Sequence, residues 1–208
     1  MDILLYHSYF LDHDPVEQRI MKPYPPLGLL CLSAYLKREG FAVGLEDTTF
    51  SDYASVERSI TAAKPFAVGI YTNLMTRRHA ITIAGMARDA GALVIFGGPE
   101  AVNYPEEYLS YGDVVVVGEG EATMAELVGH LRAEGLNELG DIHGIQYLEG
   151  DGQVRTTPPR ALIKDVDGMP FPDRAAIDLE RYLDTWDRHH GVRSVSLITA
   201  RGCPYKYQ

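Results

Sequence analysis

The chain has 208 residues, enough for one domain of ordinary size with an appendage or for two small domains. Apolar residues make up 46% of it, which is ordinary for a protein with a hydrophobic core. The formal net charge of −10 argues against nucleic acid as a partner, because no basic stripe is available to neutralise phosphates. The same charge disfavours binding to an anionic membrane surface.

Two cysteines, Cys31 and Cys203, make no disulfide framework, which is typical of a reducing compartment. No apolar run approaches the ~18 residues of a membrane-spanning helix, and the N-terminus lacks the basic-then-apolar layout of a signal peptide. We therefore expect a soluble, cytoplasmic protein.

Five apolar runs, each followed by a helical pattern, predict five β–α units. The predicted strands are residues 3–7, 41–45, 66–71, 92–96 and 114–117. The predicted helices are 25–40, 54–63, 77–90 with Thr76 as its cap, 105–111, and one from Glu121 or Thr123 to near Gly135. The connections are too short for anything but parallel crossovers. The predicted class is therefore α/β: a three-layer, doubly wound, five-stranded parallel sheet with flavodoxin-like (Rossmann-like) strand order.

The pattern changes after Gly135. Residues 142–148 and 154–157 predict a hairpin, residues 158–182 a proline-rich linker, and residues 195–199 a further strand. We therefore divide the chain into three parts: a first domain over 1–138, a hairpin and linker over 139–191, and the start of a second domain over 192–208.

Three loops that follow the third, fourth and fifth predicted strands are rich in glycine, threonine or asparagine. Open parallel sheets bind ligands at this edge. Glycine lets a ligand approach the backbone closely, and hydroxyl or amide groups can hold a polar tail. The residues concerned are Thr72, Asn73, Thr76, Gly97, Gly98, Gly118 and Gly120. A glycine after a strand can also simply make the turn, and that alternative stays open for each loop taken alone.

Other polar residues allow two interpretations. Glu119 and Glu121 suggest acid–base chemistry or a metal site, but negative charge at a helix N-terminus is the favoured interpretation. Asp47 could touch a ligand or cap the following turn. His7 is expected to be packed or hydrogen-bonded at the core edge, His13 to be a solvated loop residue, and Cys31 to pack on the apolar face of its helix. Neither a G-x-G-x-x-G nor a P-loop motif occurs, which argues against nucleotide binding.

The sequence Arg201-Gly202-Cys203-Pro204 resembles the opening of the radical S-adenosylmethionine (radical SAM) motif. In that family, a Cys-x3-Cys-x2-Cys sequence holds a 4Fe-4S cluster, and S-adenosylmethionine binds its fourth iron. Here Tyr207 stands at the second cysteine position, and the sequence ends before the third. The resemblance implies that Cys203 is one of three cluster ligands in a longer enzyme, and one cysteine cannot hold a cluster by itself.

The whole chain is similar to the cobalamin-binding domain that precedes the radical SAM domain in cobalamin-dependent radical SAM enzymes. The similar pieces are Pro25-Pro26-Leu27-Gly28-Leu29-Leu30, Ala34-Tyr35-Leu36, Thr72-x-Leu74-x-Thr76, Phe96-Gly97-Gly98-Pro99, Val117-Gly118-Glu119-Gly120-Glu121 with Thr123, and Pro170-Phe171-Pro172. In that family the corrin ring lies over the strand ends, and its nucleotide tail descends beside strands three to five.

The resemblance implies cobalamin as cofactor and the rest of a radical SAM domain as partner. The residues expected to contact cobalamin are Pro26, Leu27, Gly28, Thr72, Asn73, Leu74, Thr76, Gly97, Gly98, Pro99, Glu100, Val117, Gly118, Glu119, Gly120 and Glu121. The full enzyme would transfer a methyl group, or perform other radical chemistry, at an unactivated centre. The 4Fe-4S cluster and S-adenosylmethionine belong to that full enzyme, and this chain alone is expected to bind a corrinoid without catalysis.

Two alternatives remain open at this point. The first is a stand-alone binding module of the same fold that has lost cobalamin, in which Tyr24, Tyr71 or Met75 would fill the tail channel. The second, weaker one is a flavodoxin-type flavin protein, which lacks support because no Ser/Thr-rich loop follows the first strand. His13 is not expected to bind cobalt, because Asp12-His13-Asp14 lacks the glycine of the D-x-H-x-x-G motif. The lower face of the cobalt is left unassigned.

Overall fold

The computed structural model describes residues 1–202, which contain one seven-stranded sheet. Its strands are β1 Ile3–His7, β2 Val43–Asp47, β3 Ala67–Tyr71, β4 Leu93–Gly97, β5 Val114–Val116, β6 Ile145–Leu148 and β7 Val154–Thr156. The strand order is β2-β1-β3-β4-β5-β6-β7, with the first five strands parallel and the last two antiparallel to their neighbours.

Eight α-helices and three short 3-10 helices occur in the described part of the chain. The α-helices are α1 Glu17–Ile20, α2 Leu27–Arg38, α3 Tyr53–Ala63, α4 Arg77–Asp89, α5 Pro99–Asn103, α6 Pro105–Leu109, α7 Gly120–Glu134 and α8 Leu179–His190. The 3-10 helices are Leu11–His13, Leu139–Asp141 and Arg174–Ala176. Among residues 1–202, no helix combines the length and the apolar character that crossing a membrane requires.

Strands β1 and β3 are buried on both faces, as their continuous apolar sequences predict. Successive strand side chains point to opposite faces, so β1 sends Leu4 to one core layer and Leu5 to the other. The Leu4 layer packs against α3 and α4, and the Leu5 layer packs against α2 and α7. We call the side of the sheet that carries Leu5 and packs against α2 and α7 the α2–α7 face. The three-layer α/β class and the flavodoxin-like order 2-1-3-4-5 are thereby confirmed.

The predicted hairpin forms, and it joins the main sheet instead of standing apart. Ile145 of β6 pairs with Val116 of β5, and Leu148 pairs with Val154 of β7. The predicted count of five strands is therefore corrected to seven, in a mixed sheet. The physical reason is that β5 would otherwise be an edge strand with unpaired backbone groups, which the hairpin satisfies.

Several local predictions need correction. β2 begins two residues later than expected and includes Asp47, and α5 was not expected. Thr76 does precede α4, but its side chain accepts from the Asn73 N–H at 3.0 Å instead of capping the helix. Residues 195–199 do not form a strand. A β-branched apolar run becomes a strand only where a neighbour pairs with it, and no strand within residues 1–202 does so there.

Helix α8 is the largest element that the sequence analysis missed, and its first four residues fell in the proline-rich linker predicted over 158–182. Asp178 begins the helix by accepting from the Arg181 N–H at 3.1 Å. Tyr182 and Trp186, one turn apart, are buried against the rest of the protein. The Trp186 indole donates to the Pro23 carbonyl oxygen at 2.8 Å. The C-terminal helix is therefore anchored to the loop between β1 and α2.

A buried polar network joins α8 to the carboxyl end of β2. The Tyr182 hydroxyl donates to Asp47, whose other carboxylate oxygen lies 3.1 Å from His7 Nδ1 and accepts from the Thr49 N–H at 3.1 Å. Burial alone would raise the pKa of Asp47, but His7, Tyr182 and Thr49 outweigh it and lower that pKa below its usual range. His7 is thus hydrogen-bonded at the core edge, and Asp47 caps the following turn.

The substitution Tyr182→Phe removes the hydroxyl that donates to Asp47. A hydrogen bond to a charged group contributes about 1.5–3 kcal/mol, and we expect the free energy of unfolding at pH 7 to fall by that amount. Because the folded-state pKa of Asp47 is lowered, its contribution is present above the unfolded-state pKa and is lost as pH falls through the folded-state value. The difference between wild type and variant should therefore narrow below about pH 4.

Urea unfolding followed by the fluorescence of Trp186, the only tryptophan in the sequence, measures this effect. Tyr111→Phe is the matched control, because the Tyr111 side chain is 41% exposed. A loss at pH 7 no larger than that of the control would contradict the role assigned to Tyr182. A loss that is the same at pH 3 and pH 7 would contradict the role of the ionised Asp47.

Candidate functional site

A mainly apolar pocket of about 660 Å³ lies between the α2–α7 face of the sheet and helices α2 and α7. Its floor is made by one residue from each of β1, β3, β4 and β5, namely Leu5, Gly69, Ile95 and Val116. Its helical walls are made by Gly28, Leu29, Leu32 and Met124. The pocket reaches the carboxyl edge of the sheet, where glycine-containing loops and the Arg201-Gly202 pair complete its lining.

The loop after β4 keeps the rim of the pocket open. A Cβ atom added at Gly97 would meet no atom within 4 Å, so the space beside it is free. Gly98 has φ +102°, and a Cβ atom there would lie 2.2 Å from the Thr72 carbonyl oxygen. Gly98 is therefore required by the fold itself, because only glycine permits this backbone conformation and this close approach.

The loop after β5 supplies the opposite rim and begins α7. Gly118 has φ +80°, and Glu121 lies in the first turn of the helix, where negative charge complements the helix dipole. Glu119 accepts from the Ile163 N–H at 2.6 Å. Glu121 is only 5% exposed and accepts from Arg201. The two acids thus have protein partners, and no cluster of three potential metal ligands occurs in residues 1–202.

Cys31 on α2 lies near the same ion pair. Burial is the main cause that raises the pKa of its thiol, and the neighbouring Arg201 guanidinium acts in the opposite direction. The thiol is half-buried, and the packing role expected for it stays a prediction.

The loop after β3 directs its polar side chains away from the pocket. Thr72 is fully buried, and its hydroxyl lies 3.0 Å from that of Tyr108. The Asn73 side chain accepts from the N–H groups of Met75 and Thr76 at 3.0 and 3.1 Å. Leu74 is 72% exposed. These groups hold the loop in shape. None of residues 72–76 lines the pocket, whereas Gly69, Ile70 and Tyr71 of β3 do.

The structure brings together half of the sixteen predicted contact residues. Those that line the pocket are Gly28, Gly97, Gly98, Pro99, Gly118, Glu119, Gly120 and Glu121. Those that lie outside its lining are Pro26, Leu27, Thr72, Asn73, Leu74, Thr76, Glu100 and Val117. Glu100 is buried and faces Arg77, with their side chains 3.4 Å apart. Cys203 lies outside the described residues.

The sequence analysis missed the floor of the pocket and part of its walls. The missed residues are Leu5, Leu29, Leu32, Gly69, Ile70, Ile95, Phe96, Val102, Asn103, Val116, Met124, Arg201 and Gly202. Tyr71 was expected in the channel only in the alternative that has lost cobalamin. One signal could have found several of them: alternate residues of neighbouring parallel strands share a face. Gly69 breaks an apolar run in the middle of a buried strand, and a Cβ atom there would lie 2.8 Å from Leu5 Cδ2. A glycine at such a position marks a close approach.

The histidines at the beginning of the chain lie elsewhere. His13 is exposed and stacks against Phe10, with the ring centroids 5.3 Å apart. His7 is held by Asp47, as described above. Neither lines the pocket.

Comparisons with known proteins identify the family of the chain. Residues 18–128, more than half of the chain, match the B12 binding domain family. An uncharacterized methyltransferase of Pyrococcus horikoshii is 36% identical over 193 residues, which cover 87% of this chain and 39% of the relative. The anaerobic magnesium-protoporphyrin IX monomethyl ester cyclase of Synechocystis sp. is 31% identical over 204 residues, which cover 93% of this chain and 39% of the relative. The chain therefore spans about two-fifths of the length of these curated relatives.

Solved structures share the fold. The cobalamin-dependent S-adenosylmethionine radical enzyme OxsB, with aqua-cobalamin and S-adenosylmethionine bound, gives a TM-score of 0.69 at 20% identity over 82% of this chain and 24% of its own. The radical S-adenosylmethionine methyltransferase TsrM from Kitasatospora setae, with cobalamin and a 4Fe-4S cluster bound, gives 0.61 at 22% identity over 85% of this chain and 33% of its own. At these identities the likeness shows the fold. On the match over residues 18–128, the chain belongs to the B12 binding domain family.

Proposed function

We propose that this chain is the cobalamin-binding part of a radical SAM enzyme, and that the pocket on the α2–α7 face receives the nucleotide tail of the cofactor. The observation that carries the proposal is the place of the pocket. Most of its lining residues lie within the matched residues 18–128, and it reaches the sheet edge between the Gly97-Gly98 and Gly118–Glu121 loops. Ligands of open parallel sheets bind at this edge.

The residues present fit a flat macrocycle with a long tail. The open space beside Gly97 leaves the rim accessible, and the apolar floor from Leu5 to Val116 suits a tail that leaves water. Gly28 on α2 leaves free space at the wall of the channel, because a Cβ atom added there would meet nothing within 4 Å. In this proposal, Gly97, Gly98, Gly118 and Gly120 surround the upper part of the tail.

Within the proposal, the protein binds, orients and shields. Bound cobalamin would supply the methyl-carrying or radical chemistry of cobalt. The pocket floor would exclude water from the tail, and the glycine loops would leave the rim free of side chains where the ring binds. Glu119 and Glu121 would place negative charge at the rim, and Arg201 would partly neutralise it.

The radical SAM part of the proposal is supported by the Arg201-Gly202-Cys203-Pro204 sequence and by the likeness to OxsB and TsrM, whose structures carry cobalamin. The 4Fe-4S cluster and S-adenosylmethionine would be held by the part of a longer enzyme that corresponds to the remaining length of the relatives. Within this division, a first domain over 1–138 and a second beginning near 192 remain predictions. Methyl transfer is the favoured reaction, because two of the relatives are methyltransferases by name.

The alternative of a module that has lost cobalamin is less well supported. Of the three side chains that would fill the channel in that case, Tyr24 packs on Trp186 and Met75 is 67% exposed. Tyr71 lines the pocket but leaves its volume open. A flavodoxin-type function is disfavoured by the family match.

The first test is a titration of the 208-residue chain with hydroxocobalamin. We expect a change in the visible spectrum on binding and co-elution of the corrinoid with the protein on gel filtration. Iron and sulfide should be absent from the protein after reconstitution, because a single thiolate cannot hold a cluster. No spectral change and no co-elution would reject the cobalamin-binding proposal for this chain.

The second test fills the pocket from its rim. Gly97→Leu places a side chain in the open space beside Gly97, so hydroxocobalamin should bind at least about tenfold more weakly, a loss of about 1.4 kcal/mol. The fold should tolerate the change, because Gly97 ends a β-strand and its added Cβ meets no neighbour.

Gly85→Leu is the matched control for this test. Gly85 lies on α4, and an added Cβ atom also meets nothing within 4 Å. We expect unchanged corrinoid affinity for this variant. If Gly97→Leu binds the corrinoid as tightly as Gly85→Leu does, the cofactor does not occupy this pocket.

A further inference from the structure

We propose that Arg201 is a positioning residue that fastens the segment 192–202, which leads to Cys203, to the rim of the cobalamin pocket through Glu121 and Glu119. This inference rests on the proposed function, because it assigns a role toward the same pocket. It concerns how two parts of the chain are held together at that site.

The ion pair is partly buried and involves more than one acid. Arg201 Nη2 donates to Glu121 Oε1, and Arg201 Nη1 lies 3.8 Å from Glu119 Oε1. The Glu121 carboxylate is nearly buried, and removing its partner would leave a charge with little water to solvate it. The Arg201 side chain is 24% exposed, and the planar guanidinium can reach the two acids at once.

The same residues form part of the pocket wall. Arg201 and Gly202 line the pocket together with Glu119, Gly120 and Glu121. The ion pair therefore lies at the point where a corrinoid would pass the rim. A contact between Arg174 Nη2 and the Ser196 carbonyl oxygen, at 2.8 Å, attaches the segment a second time, five residues earlier.

Arg201 lies close in sequence to Cys203, the expected cluster ligand. Cys203 follows Arg201 by two residues, and two residues of extended chain span at most about 7 Å. An arginine fixed at the pocket rim therefore limits how far the following residues can lie from that rim. Corrinoid binding and the ordering of this segment should then be coupled, and coupling between two sites is reciprocal.

Backbone 15N order parameters of the chain without corrinoid test the attachment directly. Arg201→Met and Glu121→Gln should each lower the order parameters of residues 197–202 below about 0.6, while those of β1, β3 and β4 stay near about 0.85. The double variant should lower them no further than either single variant does, because each substitution breaks the same pair. Unchanged order parameters in Arg201→Met, or a larger loss in the double variant, would overturn the proposal.

Hydroxocobalamin affinity tests the coupling. Arg201→Met should bind about three- to tenfold more weakly than wild type, and Arg201→Lys should recover only part of that loss, because it retains the charge but not the planar group that reaches both acids. Arg193→Met is the matched control, since Arg193 lies in the same segment but pairs with Glu180 and Asp184 away from the pocket. Equal affinities for Arg201→Met and Arg193→Met would overturn the coupling.

The two proposals fail in different ways. If the wild-type chain binds no hydroxocobalamin, the proposed function fails, whereas the order parameters still decide whether Arg201 fastens the segment. If the wild-type chain binds hydroxocobalamin but the order parameters of residues 197–202 do not respond to Arg201→Met, only the attachment fails.

Discussion

The close approach of two loops at the carboxyl edge of the sheet is the constraint on which the site depends. The Thr72 N–H donates to the Gly97 carbonyl oxygen at 2.8 Å, and the Thr72 carbonyl oxygen lies where a side chain of residue 98 would begin. Any other residue at position 98 would push the loops after β3 and β4 apart. Gly97 and Gly98 therefore have two effects. They let the loops after β3 and β4 pack against each other, and they leave the rim of the pocket without side chains.

The strand order could be predicted because the apolar runs and the short connections that determine it are visible in the sequence. Apolar runs without alternation are buried on both faces, and short connections between parallel strands leave few topologies. The boundaries of α8 could not be predicted in this way. Its only buried side chains, Tyr182 and Trp186, find partners far away in sequence, at Asp47 and Pro23. The predicted strand over 195–199 failed for the converse reason: β-branched residues favour a strand, but pairing decides it.

The pocket, too, could be predicted only in part. Its rim could be predicted from glycines at strand ends, because a turn and a close approach share the same requirement. The polar residues of the loop after β3 were expected near a ligand, but Thr72 and Asn73 satisfy hydrogen bonds within the protein. The floor was missed because Leu5 and Val116 are ordinary core residues in sequence. Only the pairing of four neighbouring strands places them on the same face of the sheet.

Charge is confined to one side of the pocket, and this has a consequence for how the site can work. Glu119 and Glu121 would repel each other and lose hydration near the apolar wall if they stood alone. Arg201 compensates for this, although it lies 80 residues later in the chain. The family match ends at residue 128, so the cation that pairs with Glu121 comes from a segment outside the matched residues. If Arg201 fastens that segment as proposed, the shape of the pocket rim depends on the part of the chain that leads toward Cys203.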